Sequence, residues 1–252
     1  MLKIRVMPTL LFKDVGLVKG VGFDSWRRVG SAMQAIKVYN MREVDELVFV
    51  DITATREGRP PDYSTVDELA DECFMPLTVG GGVRTIDQVG RLLHVGADKV
   101  AVNTAALETP DLIREIAERY GSQCAVVSLD VKRHPDGRCE VYTHSGTRPT
   151  GRDPVAVAQQ MVSLGAGEIL LTSIDRDGTM TGYDVALTRA VSDAVSIPVI
   201  ASGGAGSYEH MAAVLREGGA SAVAAASIFH FTQQTPLEAK RYLNGQGFRV
   251  RL

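Results

Sequence analysis

The sequence predicts a single (β/α)8 barrel spanning residues 1–252, and two observations carry that prediction. Eight short runs rich in Val, Ile and Leu alternate with amphipathic helical stretches, and runs apolar throughout are typical of parallel strands buried on both faces. The chain also repeats itself, because Gly80–Gly82 recurs as Ser202–Gly204 and Glu46–Phe49 recurs as Glu168–Leu171. Two matching halves, about 1–122 and 123–252, close most naturally into a ring.

The elements follow one another regularly along the chain, with Pro110 and Pro236 near helix starts, where a missing N–H is harmless. The alternative fold is a doubly wound open sheet. The predicted strands are Ile4–Leu10, Leu47–Ile52, Leu77–Val79, Lys99–Val102, Ala125–Leu129, Ile169–Thr172, Val199–Ala201 and Ala222–Ala225. The predicted helices include Val66–Cys73, Ile86–His94, Leu112–Tyr120, Val155–Leu164, Met211–Arg216 and Leu237–Leu243.

Two connections are longer than a short strand-to-helix loop. They are Phe12–Gly30 and Lys132–Asp153, and each follows a predicted strand. Loops that follow barrel strands lie at the C-terminal face, where barrel enzymes carry their chemistry. We therefore expect both connections to overhang a site.

Composition excludes several classes of function. The 252 residues are 45% hydrophobic with a formal charge of −3, and Lys and Arg are scattered, so no nucleic-acid partner is expected. Three dispersed cysteines favour reduced thiols, and no apolar run approaches the roughly 18 residues of a membrane span. We expect a soluble, cytoplasmic protein that acts on a small molecule and has no membrane partner.

Two glycine-rich turns predict phosphate sites. Gly80–Gly82 follows a strand, with Asn103 and Thr104 after the next strand, and Ser202–Gly204 with Ala226 and Ser227 repeats the arrangement. Exposed backbone N–H groups beside a hydroxyl are suited to an anion. The alternative is that these glycines only form tight turns. The repetition favours two phosphate sites and a small ligand with a phosphate at each end.

Four acids fall at or just after predicted strand ends: Asp51, Asp130, Asp175 and Asp177. Asp130 is the strongest candidate for acid/base work, whereas Asp177 followed by Gly178 is equally typical of a turn. Lys19, in the first long connection, either clamps a phosphate or is solvated. The five histidines lack ligand spacing, so neither a metal nor a cofactor is expected.

Four charged residues stand at the opposite ends of the strands. Arg5, Glu46, Lys99 and Glu168 begin the first, second, fourth and sixth predicted strands. Inward-facing charges there either form a salt-bridged plug or gate the passage of something small. The sequence leaves both interpretations open.

The sequence resembles the cyclase subunit of imidazole glycerol phosphate synthase over nearly its whole length. The resemblance implies a barrel that receives ammonia from a class I glutaminase docked at the strand N-termini. It implies a ribulosyl aminoimidazole carboxamide nucleotide with two phosphates as substrate, cyclised and cleaved to imidazole glycerol phosphate and an aminoimidazole carboxamide ribotide. The segments that carry it are Asp45–Ala54, Thr78–Gly82, Gly96–Lys99, Asn103–Ala106, Gly121–Gln123, Gly165–Thr179, Ala201–Gly206 and Phe229–Phe231.

The resemblance also implies roles for individual residues. Asp130 is one of two catalytic acid/base residues, and Asp98 lies at the glutaminase interface. The ammonia gate is Arg5, Glu46, Lys99 and Glu168. One phosphate is held by Gly82, Asn103 and Thr104, and the other lies near Asp177, Gly178, Gly204, Ala226 and Ser227. Lys19 lies on the lid loop, and the substrate site includes Asp51, Thr172 and Ser202.

The chain departs from the family where the second catalytic acid should stand, because Leu11 occupies that position. Thr9 also replaces the usual Cys, and Gly30–Ala32 replaces the usual Gly-Asp-Pro. Leucine carries no proton, so an enzyme using paired acids would lose on the order of a hundredfold or more in rate. Asp14, three residues later, is the candidate substitute.

Four functions therefore stand as alternatives. The departures resemble a branch whose barrels are thought to deliver ammonia to an amidotransferase that makes amidino groups on bacterial surface sugars. If the chain belongs to that branch, the acceptor amidotransferase is a third candidate partner, beside the glutaminase and the small phosphorylated substrate. The others are a histidine-pathway cyclase, a sugar-phosphate isomerase and a regulatory binding barrel.

Overall fold

Eight parallel strands form a closed barrel in the computed structural model, which describes residues 3–252. Barrel strands β1, β4, β5, β6, β7, β10, β11 and β12 pair in that order, and β12 pairs back with β1. In chain order the strands are β1 (Arg5–Lys13), β2 (Gly16–Val21), β3 (Asp24–Gly30), β4 (Leu47–Asp51), β5 (Leu77–Gly80), β6 (Lys99–Val102), β7 (Ala125–Arg133), β8 (Cys139–Thr143), β9 (Arg148–Pro149), β10 (Glu168–Ser173), β11 (Val199–Ser202) and β12 (Ala222–Ala225). The predicted (β/α)8 barrel is confirmed, and the open sheet was the wrong alternative.

Helices cover the outside of the barrel between successive strands. Within the described residues they are α1 (Ala32–Met41), α2 (Tyr63–Ala70), α3 (Ile86–His94), α4 (Thr104–Glu108), α5 (Asp111–Tyr120), α6 (Pro154–Ser163), α7 (Val185–Ala194), α8 (Tyr208–Arg216), α9 (Ser227–Phe231) and α10 (Pro236–Gly245). A short 3-10 turn, Ser122–Cys124, precedes β7.

Capping side chains explain where helices begin better than apolar periodicity does. The carboxylate of Asp62 accepts a hydrogen bond from the Thr65 N–H, so α2 begins at Tyr63, three residues before the predicted start. Asp184 caps α7 in the same way. The Thr85 capping box fixes the start of α3 at Ile86, as predicted.

Both long connections are β-hairpins, which corrects the prediction that they are loops. Strand β1 continues beyond the barrel and pairs antiparallel with β2, with Leu11 opposite Val18, and β2 pairs with β3. Strand β7 continues in the same way into β8 and β9. We call these the first hairpin (residues 11–30) and the second hairpin (residues 130–149). Asp130 therefore lies inside a strand, where β7 leaves the barrel, and not at a strand end.

The barrel interior is packed with apolar side chains. One cluster fills the space inside the strands, with the half-buried Val50 packed against it, and a larger cluster lies between strands and helices. The interior cluster is Met7, Val48, Ala101, Val126, Leu170, Ile200, Ala222 and Ala224. Since Ala101, Leu170 and Ala224 also line the cavity above, an apolar layer separates the two ends of the barrel. No helix among residues 3–252 is both long enough and apolar enough to cross a membrane.

Candidate active site and the opposite face of the barrel

A cavity of about 1170 Å³, counted to its open mouth, lies at the C-terminal ends of the strands. The two hairpins contribute Phe23, Trp26 and Ser145 to its wall. Sequence-predicted site residues that line it are Lys19, Asp51, Gly82, Asn103, Thr104, Asp130, Thr172, Asp177, Gly178, Ser202, Gly204, Ala226 and Ser227. Of the acids predicted at strand ends, Asp175 does not line the cavity, because its carboxylate accepts the Arg133 N–H at 2.7 Å.

The glycine turns have the same backbone geometry in both halves of the barrel. Gly81 has a φ of 105° and Gly203 a φ of 85°, in the left-handed region that side chains disfavour. A Cβ on Gly81 would come 2.2 Å from the Asp51 carbonyl oxygen, and one on Gly203 would come 2.6 Å from that of Ser173. Each turn therefore packs against the end of the preceding strand, and glycine is required at both places.

Both carboxylate oxygens of Asp51 accept hydrogen bonds from the loop that follows it. One carboxylate oxygen accepts hydrogen bonds from the N–H and hydroxyl of Thr53 and from the N–H of Ala54, at 2.9, 3.0 and 3.1 Å. The other accepts from Arg59 Nη1 at 3.1 Å. Because both oxygens are engaged, Asp51 is better suited to shaping the cavity than to moving a proton.

Asp130 is a buried acid of the cavity whose pKa is strongly shifted. Burial, and after it the nearby negative charge of Asp177, raise the pKa of its carboxyl from 3.8 to about 7, although a hydrogen bond from the Ser128 hydroxyl acts in the opposite direction. An acid that titrates near neutrality can both donate and accept a proton. The sequence identified Asp130 correctly as a cavity acid, but its raised pKa depends on neighbours that only the fold brings together.

We expect Asp130→Asn to be more stable than the wild type at pH 8. The native carboxyl keeps a proton up to about pH 7, whereas the unfolded carboxyl releases it near pH 3.8. Wild-type stability therefore falls as the pH rises through this window, by up to about 1.4 kcal/mol for each pH unit, and the amide removes the effect. Urea unfolding of both proteins between pH 4 and 8 measures it. A stability difference that does not change with pH would contradict the prediction.

Lys19 reaches from the first hairpin into the cavity, where it forms an ion pair. Its Nζ lies 2.6 Å from Asp177 Oδ2 and donates to the Gly20 carbonyl oxygen at 3.1 Å, and the lysine is 2% exposed. The interpretation of Lys19 as a solvated side chain was therefore wrong. Burial raises the pKa of Asp177, although the Lys19 charge and hydrogen bond act in the opposite direction.

Backbone contacts at the same place fix the first hairpin over the cavity. The Gly22 N–H donates to the Asp177 carbonyl oxygen at 2.9 Å. A Cβ on Gly178 would come 2.1 Å from the Gly20 carbonyl oxygen, and one on Gly146 would come 2.7 Å from the Phe23 ring. Asp177 and Gly178 therefore lie in a turn that lines the cavity and also holds the first hairpin.

Leu11 lines the cavity at the position where the resemblance expects an acid. Asp14 cannot replace it from where it lies, because it is exposed in the turn between β1 and β2, with a φ of 55°. Thr9 also lines the cavity, and its buried hydroxyl has no hydrogen-bond partner among residues 3–252. His230, which the sequence did not single out, has its pKa lowered by burial and by the Lys19 charge, against the effect of a hydrogen bond to the Thr9 carbonyl.

At the opposite face, Arg5, Glu46, Lys99 and Glu168 form a closed ring of ion pairs, which we call the charged ring. Arg5 lies 2.7 Å from Glu46 and 2.8 Å from Glu168, and Lys99 Nζ lies 2.9 and 3.1 Å from the same two glutamates. Burial alone lowers the pKa of Arg5, but the hydrogen bonds and charges of Glu168 and Glu46 outweigh it and raise the pKa. The two glutamates therefore favour the charged form of the Arg5 guanidinium.

The rim around the charged ring carries both polar and apolar groups. Asp98 is exposed there, and its carboxylate accepts the Leu77 N–H at 2.8 Å. Phe74 and Met41, which the sequence analysis did not select, are 83% and 77% exposed. Asn40 fixes the Phe74 backbone, since its side chain accepts the Phe74 N–H and donates to the Glu72 carbonyl oxygen. Exposed aromatic side chains held in place are typical of protein contact surfaces.

No three His, Cys, Asp or Glu side chains within residues 3–252 form a cluster that could hold a metal ion. The fold and the cavity define a (β/α)8 barrel with a ligand site at its C-terminal face, the position at which barrel enzymes work. A family model described as "Histidine biosynthesis protein" matches residues 5–235. The chain therefore belongs to this histidine-biosynthesis family, which confirms the resemblance at the level of the family.

Proposed function

We propose that this barrel takes ammonia from a class I glutaminase docked at the N-terminal face and delivers it to the cavity at the C-terminal face. The observation that carries the proposal is the charged ring, which closes the N-terminal mouth with four ion pairs beneath an apolar interior. An apolar layer between the two faces favours the transit of neutral ammonia over ammonium, because an unpaired buried charge is costly. Ion pairs that open and close again could admit such a small molecule.

Leu11 favours an acceptor outside histidine synthesis. The wall of the cavity has a leucine where paired-acid chemistry would need a second carboxyl group, and Asp14 is turned to solvent. Delivery of ammonia requires no proton carrier at that position. An amidotransferase that forms amidino groups on sugars is such an acceptor, and we propose it as the third partner. The complex would work in the cytoplasm, where the three free thiols stay reduced.

The second candidate function is cyclase and lyase activity on the ribulosyl nucleotide that the family resemblance implies. Asp130, with its pKa of about 7, favours it, because such a group suits general acid/base catalysis at neutral pH. The two functions differ in a direct assay of the barrel alone, supplied with that nucleotide and excess ammonium salt. Ammonia delivery predicts no turnover, whereas turnover would return the protein to histidine synthesis.

Phe74→Glu is expected to abolish binding of the glutaminase and its stimulation by the barrel. The side chain is exposed on the face with the charged ring, so the change adds a charge to the docking surface without disturbing the core. Val15→Glu is the matched control, since Val15 is 79% exposed in the β1–β2 turn at the other face. The assay measures glutamate release by a class I glutaminase from the same organism, with and without each barrel. Equal effects of the two variants would contradict docking at the N-terminal face.

A further inference from the structure

We infer that the cavity holds one phosphate rather than two, in its second half, and so takes a monophosphorylated, hydroxyl-bearing ligand such as a sugar phosphate. The inference deepens the proposed function, on which it rests, by naming the class of ligand that meets the ammonia. It depends on a difference between the two halves of the barrel. We compare a first-half site (Gly82, Asn103, Thr104) with a second-half site (Gly204, Ala226, Ser227).

In the first-half site, the Gly82 N–H and the Thr104 hydroxyl are engaged by the protein itself. The Gly82 N–H donates to Thr55 Oγ1 at 3.1 Å. The Thr104 hydroxyl donates to Asn103 Oδ1 at 3.2 Å and accepts the His144 N–H at 3.0 Å. A phosphate at this site would have to displace these contacts before gaining its own.

The second hairpin engages a further donor of the first-half site. The side-chain amide of Asn103 donates to two carbonyl oxygens, Ser128 at 3.1 Å and Tyr142 at 3.2 Å. Tyr142 belongs to β8, so the hairpin is bonded directly onto the first-half site. The neighbouring Arg84 guanidinium donates to the Thr55 carbonyl oxygen at 3.2 Å. The side-chain donors of this half therefore serve the fold.

The second-half site offers free donors in the matching positions. Gly204 and Ser227 both line the cavity, and neither the Gly204 N–H nor the Ser227 hydroxyl donates a hydrogen bond to a group among residues 3–252. Ser227 is 5% exposed, so its hydroxyl has little access to bulk solvent. Asp177 stands where the repeat places Thr55 in the first half, but Lys19 holds its carboxylate. The Gly204 N–H consequently lacks the partner that Gly82 has, and a bound phosphate would supply it.

Further hydroxyl side chains line the cavity beside the second-half site. Thr172 and Ser202 lie opposite each other on neighbouring strands, Thr9 lies on β1, and all three line the cavity. The buried Thr9 hydroxyl has no hydrogen-bond partner among residues 3–252. Polar groups left unpaired in a buried wall lower the affinity for apolar ligands and raise it for ligands that pair with them. Hydroxyl groups on the ligand, next to its single phosphate, would meet this requirement.

Calorimetric titration of the full-length barrel tests the inference with three probes: inorganic phosphate, ribose 5-phosphate and ribulose 1,5-bisphosphate. We expect one phosphate per barrel and affinities for the two sugar phosphates within about threefold. Ser227→Ala should weaken phosphate binding by about tenfold, because a hydrogen bond to a charged group is lost. Thr104→Val, which deletes the matching hydroxyl, should change it by less than about twofold.

Ser227→Asp gives a second and stronger version of the test, since its carboxylate repels phosphate, and circular dichroism checks that each variant is folded. Two phosphates per barrel, an equal loss in Thr104→Val, or no binding of any probe would each overturn the inference. Phosphate binding is measured without a glutaminase. A failure here therefore leaves the result of the glutamate-release assay standing, and the reverse also holds.

Discussion

Glu46→Ala is expected to lower the free energy of unfolding by about 3–5 kcal/mol, the cost of leaving buried charges without their partner. Glu46 is 3% exposed and bonded to Arg5, to Lys99 and to the Thr78 hydroxyl at 2.8 Å. Its removal leaves two cations facing a single glutamate. Urea unfolding measures the loss. Glu115→Ala, an exposed acid on the outer face of α5, is the control and should change stability by less than about 0.5 kcal/mol.

A second variant at the same position, Glu46→Gln, separates the two interpretations of the charged ring. If the ring is only a plug, Glu46→Gln, which keeps the shape and the Thr78 contact, should alter stability without altering glutamine-dependent delivery of ammonia. If the ring is a gate, glutamine-dependent delivery should change more than delivery from added ammonium salt. A small loss of stability in Glu46→Ala, under about 1 kcal/mol, would mean that the ring is solvated and its ion pairs weak.

The sequence predicted the barrel well because each barrel strand is an apolar run buried on both faces, such as Leu47–Asp51 and Val199–Ser202. The sequence analysis missed the hairpins because their strands are not marked by such apolar runs. The β3 strand, Asp24–Gly30, is half exposed and carries charges, so no apolar run marks it. Its conformation depends on pairing with β2 and on backbone contacts to Asp177, which are remote in sequence.

The sequence predicted which residues line the candidate site, but not the hydrogen bonds that those residues make. Residues after strands meet at one face of any barrel, so the cavity could be assembled from strand ends alone. The sequence could not show that the Asp51 carboxylate accepts hydrogen bonds from Thr53 and Arg59, or that the Thr104 hydroxyl accepts one from the His144 N–H. These contacts depend on loop conformation. It did place Leu11 correctly on the cavity wall, since Leu11 is two residues beyond Thr9 on one strand.

Lys19→Met is expected to release the first hairpin and to lower the free energy of unfolding by about 3 kcal/mol at pH 8. The change leaves the Asp177 carboxylate buried without its cation, 2.6 Å from where the ammonium stood. Burial already raises the pKa of Asp177, and loss of Lys19 removes the opposing effect. The variant therefore recovers stability as the pH falls and the carboxyl binds a proton, and it is weakest at high pH.

Trp26, the one tryptophan of the chain, reports the position of the hairpin because it lies in β3 and lines the cavity. Its emission should shift to longer wavelength in Lys19→Met at pH 8 and return toward the wild-type position near pH 5. The double variant Lys19→Met with Asp177→Asn is the control, because it removes the cation and the carboxylate together. It should regain most of the lost stability and show no such pH dependence. If the double variant is as unstable as Lys19→Met, the ion pair is not what holds the hairpin, and the backbone contacts at Gly22 and Gly178 must hold it instead.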